Sequence, residues 1–209
     1  MPRFEIPAGE RVLLLGASGS GKSTLLSLIC GIAAPREGRV VVDGTDVAAL
    51  SRAARDRFRA ERIGIVFQQF NLLPYLTPLD NVLLALRFAP ERRRRAGDGR
   101  AAALVLAEAL ELPVPEMTGS PAGALSVGQQ QRVAVARALI GAPPLIVADE
   151  PTSSLDAGAQ AAFLGLLFER CDAAGATLLM VSHDERLAPR FDRAVALPDI
   201  AAIRRAGPA

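Results

Sequence analysis

Apolar runs of strand length that alternate with longer helical patterns predict an α/β fold with a mostly parallel sheet and one helical insert. Three observations carry this: six short apolar runs, the helical patterns between them, and a stretch of about seventy residues without a strand. The strands are expected at Arg11 to Leu15, Arg39 to Val42, Ile63 to Phe67, Pro144 to Ala148, Ala176 to Val181 and Arg193 to Leu197. A helix is expected from near Lys22. In the insert, helices are expected at Leu79 to Arg87, Arg100 to Leu110 and Gly128 to Ile140, with a Pro/Gly-rich connection from Leu112 to Ala124.

A chain of 209 residues accommodates one well-buried domain, with room for a small subdomain but not for two independent domains. No stretch approaches the roughly 18 consecutive apolar residues of a membrane-spanning helix. The start, Met1 to Pro7, has neither an apolar core nor a small-residue cleavage site, so a signal peptide is not expected and cytoplasmic residence is. A net charge of +2 argues against a nucleic-acid partner. The one basic cluster, Arg92 to Arg95, follows Pro90 and reads as a solvated helix start in a surface turn, with a lipid-headgroup contact as the alternative. Cys30 and Cys171 belong to no C-x-x-C pair and read as small buried residues.

The chain holds one lysine against 23 arginines, and that lysine lies in a phosphate-binding pattern. Gly16, Ala17, Ser18, Gly19, Ser20, Gly21, Lys22, Ser23 and Thr24 match G-x-x-x-x-G-K-[ST] straight after the first predicted strand. Glycines let successive backbone N–H groups turn toward one centre, and a following helix adds its positive end. Lys22 is then expected on the β- and γ-phosphates of a nucleotide, the Ser23 hydroxyl on Mg²⁺, and Thr24 on the α-phosphate side. Leu145 to Glu150 is an apolar strand ending in two carboxylates. Side chains alternate along a strand, so the two acids take different tasks: Asp149 toward Mg²⁺, Glu150 toward the water that attacks the γ-phosphate.

The third element is Leu125-Ser126-Val127-Gly128-Gln129, which opens the helical pattern running to Leu139. With these residues the chain resembles an ATP-binding subunit of an ABC transporter, whose five-residue signature is usually LSGGQ; here Val127 replaces the first glycine. The resemblance implies a P-loop NTPase with a mostly parallel sheet core, an ABC-type helical subdomain and a shortened N-terminal antiparallel β part. It implies a single ATP-binding domain over 1–209, with a core lobe at about 1–69 and 141–209 and the helical subdomain at about 70–140. It also implies that Ser126, Gly128 and Gln129 meet the nucleotide held by a second copy in a head-to-tail homodimer.

Other family elements occur in order. Gln68 matches the Q-loop glutamine, expected on Mg²⁺ and the attacking water. Ser153 to Asp156 matches the D-loop, with Asp156 at the nucleotide interface, and His183 matches the switch histidine that contacts the γ-phosphate. The segment Phe67 to Val82 is similar to the lipoprotein-releasing, macrolide-exporting and cell-division ABC ATPases. The resemblance thus implies an ATPase that uses ATP and Mg²⁺, lies peripherally on the inner face of the cell membrane, and docks a transmembrane permease subunit along Gln68 to Leu79. A non-transport, cell-division-like scaffold is the alternative. The family's adenine-stacking aromatic is not expected here, because Phe4, the nearest aromatic to the phosphate loop on its N-terminal side, sits at a core position of the pattern. Weaker ATP binding and poorer discrimination against GTP follow.

Overall fold

The computed structural model describes residues 4–17, 19–153 and 155–200; Ser18 of the phosphate loop and Ser154 lie outside the described residues. In chain order the elements are β1 (Arg11–Leu15), α1 (Lys22–Ile29), β2 (Val41–Val42), β3 (Thr45–Asp46), α2 (Arg52–Arg62), β4 (Ile63–Val66), α3 (Pro78–Arg87), α4 (Pro90–Ala96), α5 (Gly99–Ala109), α6 (Val114–Gly119), α7 (Val127–Leu139), β5 (Leu145–Asp149), α8 (Ala157–Ala173), β6 (Thr177–Ser182), β7 (Arg193–Ala196) and α9 (Leu197–Ile200). Five strands form one parallel sheet in the order β4-β5-β6-β1-β7, and β2 and β3 make a separate antiparallel pair. Between β4 and β5 every described element is helical, as the sequence pattern requires.

A parallel sheet is covered on both faces, which is why its strands read as continuous apolar runs. Alternate side chains then enter opposite layers. Leu13, Ile146, Ala148, Leu178 and Met180 pack on one face with Val133 and Val135 of α7, Leu164 and Leu167 of α8, and Val82 and Leu86 of α3. Val12, Leu14, Val147, Leu179 and Val181 pack on the other with Leu26 and Cys30. Cys171 lies in the first layer and Cys30 in the second, and burial pushes each thiol up to about 12. Both are small core residues, as expected. Helix α7 crosses β4 closely: a Cβ on Gly64 would stand 2.2 Å from the carbonyl oxygen of Ala138, so only glycine fits there.

The differences from the sequence pattern have local causes. Of the run Arg39 to Val42 only Val41 and Val42 pair, with Thr45 and Asp46. Leu197 leaves the last strand to begin α9. Helix α2 has one large apolar residue, Phe58, and its one buried residue is Glu61, so no apolar run marked it. Helix α8 is apolar or alanine on most sides, which also hides the period.

The largest correction concerns Arg92. It is neither solvated nor in a turn: it sits in the first turn of α4 and is 3% exposed. Its guanidinium donates to the carbonyls of Ile140 (2.6 and 2.9 Å), Ala138 (2.8 Å) and Ala60 (3.2 Å). Glu61, at the end of α2, accepts the backbone N–H groups of Glu91 and Arg92, each at 3.0 Å, and so caps α4, whose own preceding residue Ala89 offers no side-chain acceptor. Arg94, by contrast, is a surface residue paired with Glu91.

Candidate functional site

The C-terminal ends of β1, β4, β5 and β6 converge, and the residues that follow them build one cleft. Its volume is about 340 Å³, and it is lined by Gly19, Gly21, Lys22, Ser23, Thr24, Gln68, Asp149 and Glu150. The loop after β1 reaches helix α1 through Gly19 and Gly21, both with left-handed backbone (φ 73° and 92°). A side chain on Gly16 would crowd the Ser20 hydroxyl, 2.7 Å from where its Cβ would stand. Helix α1 therefore opens directly on the cleft with its free N–H groups.

Lys22 is the buried cation of the site, 5% exposed. Its ammonium donates to the carbonyls of Gly16 (2.6 Å) and Ala17 (2.9 Å) and stands 3.4 Å from Glu150 Oε1. The other oxygen of Glu150 is 3.0 Å from Nδ1 of His183, so lysine, glutamate and histidine form one chain of contacts. Glu150 has φ 44°, a left-handed conformation uncommon outside glycine, and its N–H is bound to the carbonyl of Val181 at 3.0 Å. Asp149, one residue earlier, points instead to Ser23, whose hydroxyl donates to Oδ2 at 3.4 Å. Burial raises the Asp149 carboxyl above its ordinary range and the nearby Glu150 charge adds to this, while the Ser23 hydroxyl and Lys22 oppose it. The two successive acids thus face different partners, Asp149 the Ser23 hydroxyl and Glu150 Lys22 and His183.

Gln68 lines the same cleft and donates to the Ser153 hydroxyl at 3.5 Å. Ser126, Gly128, Gln129 and Asp156 do not line it. Ser126 caps α7 in a reciprocal box: its hydroxyl accepts the N–H of Gln129 and its own N–H donates to the Gln129 side chain. The Gln129 amide also donates to Glu116, so this side chain is engaged within its own chain. Val127 is 53% exposed, and the space that a side chain on Gly128 would take is open, which leaves the start of α7 accessible to another molecule. Asp156 caps α8 by accepting the N–H of Ala159 at 2.9 Å. Phe4 is half-buried and packs beside the second core layer, with the Arg193 guanidinium 5.9 Å from its ring centroid.

Residues that the sequence pattern did not mark also hold the site. Arg137 of α7 donates to the carbonyls of Phe70 and Asn71, two residues with left-handed φ (59° and 49°) in the loop that begins at Gln68. Gln131 and Gln160 bind the turn after Glu150. An arginine or glutamine in a helix is ordinary, and its acceptors here are main-chain carbonyls or a distant hydroxyl, so no local spacing pointed to them.

Comparison with known proteins gives a consistent result. A family model described as "ABC transporter" matches residues 2–153. The chain is 41% identical to the lipoprotein-releasing system ATP-binding protein LolD of Syntrophotalea carbinolica, over 94% of this chain and 84% of that protein. It is 40% identical to the macrolide export ATP-binding/permease protein MacB of Rhodopirellula baltica over 94% of this chain, which spans only 28% of that protein. Its fold is similar to the dimeric, post-hydrolysis structure of the ATP-binding cassette MJ0796 bound to ADP and Pi, with TM-score 0.78 and 39% identity, covering 93% of this chain and 83% of that one. With the phosphate loop, the paired acids and the signature helix in place on such a fold, the chain belongs to the ABC transporter family.

Proposed function

We propose that the protein is the ATP-binding and ATP-hydrolysing subunit of an ABC transporter of the lipoprotein-releasing or macrolide-exporting kind, in which two copies close head-to-tail over ATP and so drive a membrane partner. The observation that carries this reading is the separation of Ser126 and Gly128 from the cleft that holds Lys22. A helix N-terminus with a hydroxyl and an open glycine is an anion site, and one that does not line its own chain's phosphate cleft is suited to serve another's. The chain divides accordingly into a core lobe, about 1–69 and 141–209, and a helical lobe, about 70–140, that carries the signature.

Within one site the glycine loop and the start of α1 receive the phosphate chain, together with Ser18, which lies outside the described residues. Lys22 exchanges its bonds to Gly16 and Ala17 for the β- and γ-phosphate oxygens. Ser23, Asp149 and Gln68 would hold Mg²⁺. Their hard oxygen donors suit that ion, and burial of the Asp149 carboxylate leaves a charge that a cation would stabilise. When bound, Mg²⁺ neutralises phosphate charge. Water attacks the γ-phosphorus; as its oxygen bonds to phosphorus, its proton passes to Glu150 and the bond to the β,γ-bridging oxygen breaks, leaving ADP and phosphate. His183 steadies Glu150 and stands ready for the γ-phosphate, and Asp156 meets the partner subunit's nucleotide across the interface.

No helix among the described residues is long and apolar enough to cross a membrane; in this reading a permease subunit seated along Gln68 to Leu79 holds the protein on the inner face of the membrane. Replacing Ser126 by arginine tests the trans arrangement. Phosphate release should fall at least about tenfold, while nucleotide binding by the separate chain, measured by fluorescence titration, should stay within about threefold. Turnover unchanged by Ser126→Arg would refute the arrangement. Because the Phe4 ring is held by Arg193, ATP and GTP should bind this chain within about tenfold of each other, the equivalent of about 1.4 kcal/mol; a strong preference for ATP in the same titration would mean that another residue supplies the stacking surface.

A further inference from the structure

Three glutamines, two from helices and one from the loop after β4, hold the three residues that follow Glu150. Gln131 of α7 donates to the carbonyl of Pro151 at 2.5 Å, Gln160 of α8 to the Thr152 hydroxyl at 3.1 Å, and Gln68 to the Ser153 hydroxyl at 3.5 Å. The Gln131 contact is the shortest and the deepest: the side chain is 1% exposed and Pro151 is buried beside it. The neighbouring carbonyls of the turn have main-chain donors, Ser153 N–H to Glu150 and Leu155 N–H to Thr152, whereas among the described residues the Pro151 carbonyl is served by Gln131.

We propose that Gln131 is a positioning residue for Glu150: it fixes the turn that holds this residue in its left-handed conformation, and thereby makes the aim of the carboxylate depend on the seating of α7. The proposal rests on the reading of Glu150 as the hydrolytic carboxylate. The physical argument is one of constraint. A non-glycine residue at positive φ persists only where its surroundings over-determine it. The N–H of Glu150 is held from the sheet by Val181, its carbonyl accepts the N–H of Ser153, and the next carbonyl along, that of Pro151, is held by α7 through Gln131. Gln131 lies one turn into α7, behind the Ser126 cap. One helix therefore presents Ser126 outward to a second copy and Gln131 inward to the turn of its own Glu150. A shift of α7 on closure of the dimer reaches the turn of Glu150 through this buried bond.

Gln131→Met keeps the length and loses the donor, and Gln131→Asn keeps the amide but withdraws it by one methylene. Each should lower kcat about tenfold or more, with KM and the ATP dissociation constant within twofold of the parent. Each, added to Glu150→Gln, should leave the residual turnover and the ATP-induced dimer of that variant unchanged within twofold. A kcat within twofold of the parent in either folded variant would overturn the proposal. So would a proportional loss of ATP binding and dimer, the mark of a merely structural role, or a further tenfold loss in the Glu150→Gln background. Glu150→Gln with parental turnover would instead bring down the reading of Glu150 itself, an outcome visible before any Gln131 variant is made.

Discussion

Glu150→Gln should lower ATP turnover by about 10²- to 10⁴-fold, the range spanned by a lost general base, while ATP still binds. The substitution preserves shape and hydrogen-bonding length, so the turn and its positive φ survive, but the amide takes no proton from water. It also removes a carboxylate 3.4 Å from Lys22, which frees the ammonium for phosphate. With less negative charge beside the γ-phosphate and slow hydrolysis, the closed state outlives its formation, and the variant should elute as a dimer in size-exclusion chromatography with ATP and Mg²⁺ but as the smaller species without them. Phosphate release under saturating ATP is the measurement. A variant that hydrolyses like the parent would remove Glu150 from its role, and one that stays monomeric with ATP would deny the head-to-tail reading.

The second large effect is on stability. Arg92→Met should cost about 3–5 kcal/mol, the range found when one partner of a buried charged network is removed. The change strips the carbonyls of Ala60, Ala138 and Ile140 of their donor inside the protein, and each buried acceptor left unpaired costs about 1–3 kcal/mol. Burial already holds the Arg92 guanidinium down to about 10, a sign of how fully the group is withdrawn from water. At about 2–4 °C per kcal/mol for a domain of this size, the melting temperature should fall by on the order of 10 °C. Arg92→Lys should recover only part of this, because an ammonium cannot reproduce the planar fork that reaches the carbonyls of Ala60, Arg137, Ala138 and Ile140 at once. Arg94→Met, two residues away and on the surface, should change stability by less than about 0.5 kcal/mol. Urea unfolding of the three variants decides the matter: equal effects at 92 and 94 would show that the buried network carries no stability.

Both results turn on contacts that differ in how far they could be read from the chain. Gly16 to Thr24 and Leu145 to Glu150 are short, contiguous segments marked by residue type and spacing, and the structure brings Gly19, Gly21, Lys22, Ser23 and Thr24 of the first and Asp149 and Glu150 of the second to one cleft. The sheet strands were legible because a doubly covered strand must be apolar along its whole length. Helices α2 and α8 were not, one having a single large apolar residue among its arginines and the other being too uniformly apolar for a period to show. Arg92 was misread for a related reason: it lies within a run of four arginines, and only the fold turns one of them inward.

What residue order alone marked are the groups at the strand ends: a phosphate loop with its single lysine, two successive acids, a glutamine, a histidine and a signature at a helix start. Tertiary structure decided what holds these groups in position. The decisive contacts join residues 20, 31 and 48 positions apart, Gln131 to Pro151, Glu61 to Arg92 and Arg92 to Ile140. In each of them one partner is a main-chain group. Every residue except proline carries the same amide and every residue the same carbonyl, so nothing in the letters marks which of them a buried side chain will bind until the chain has folded around it.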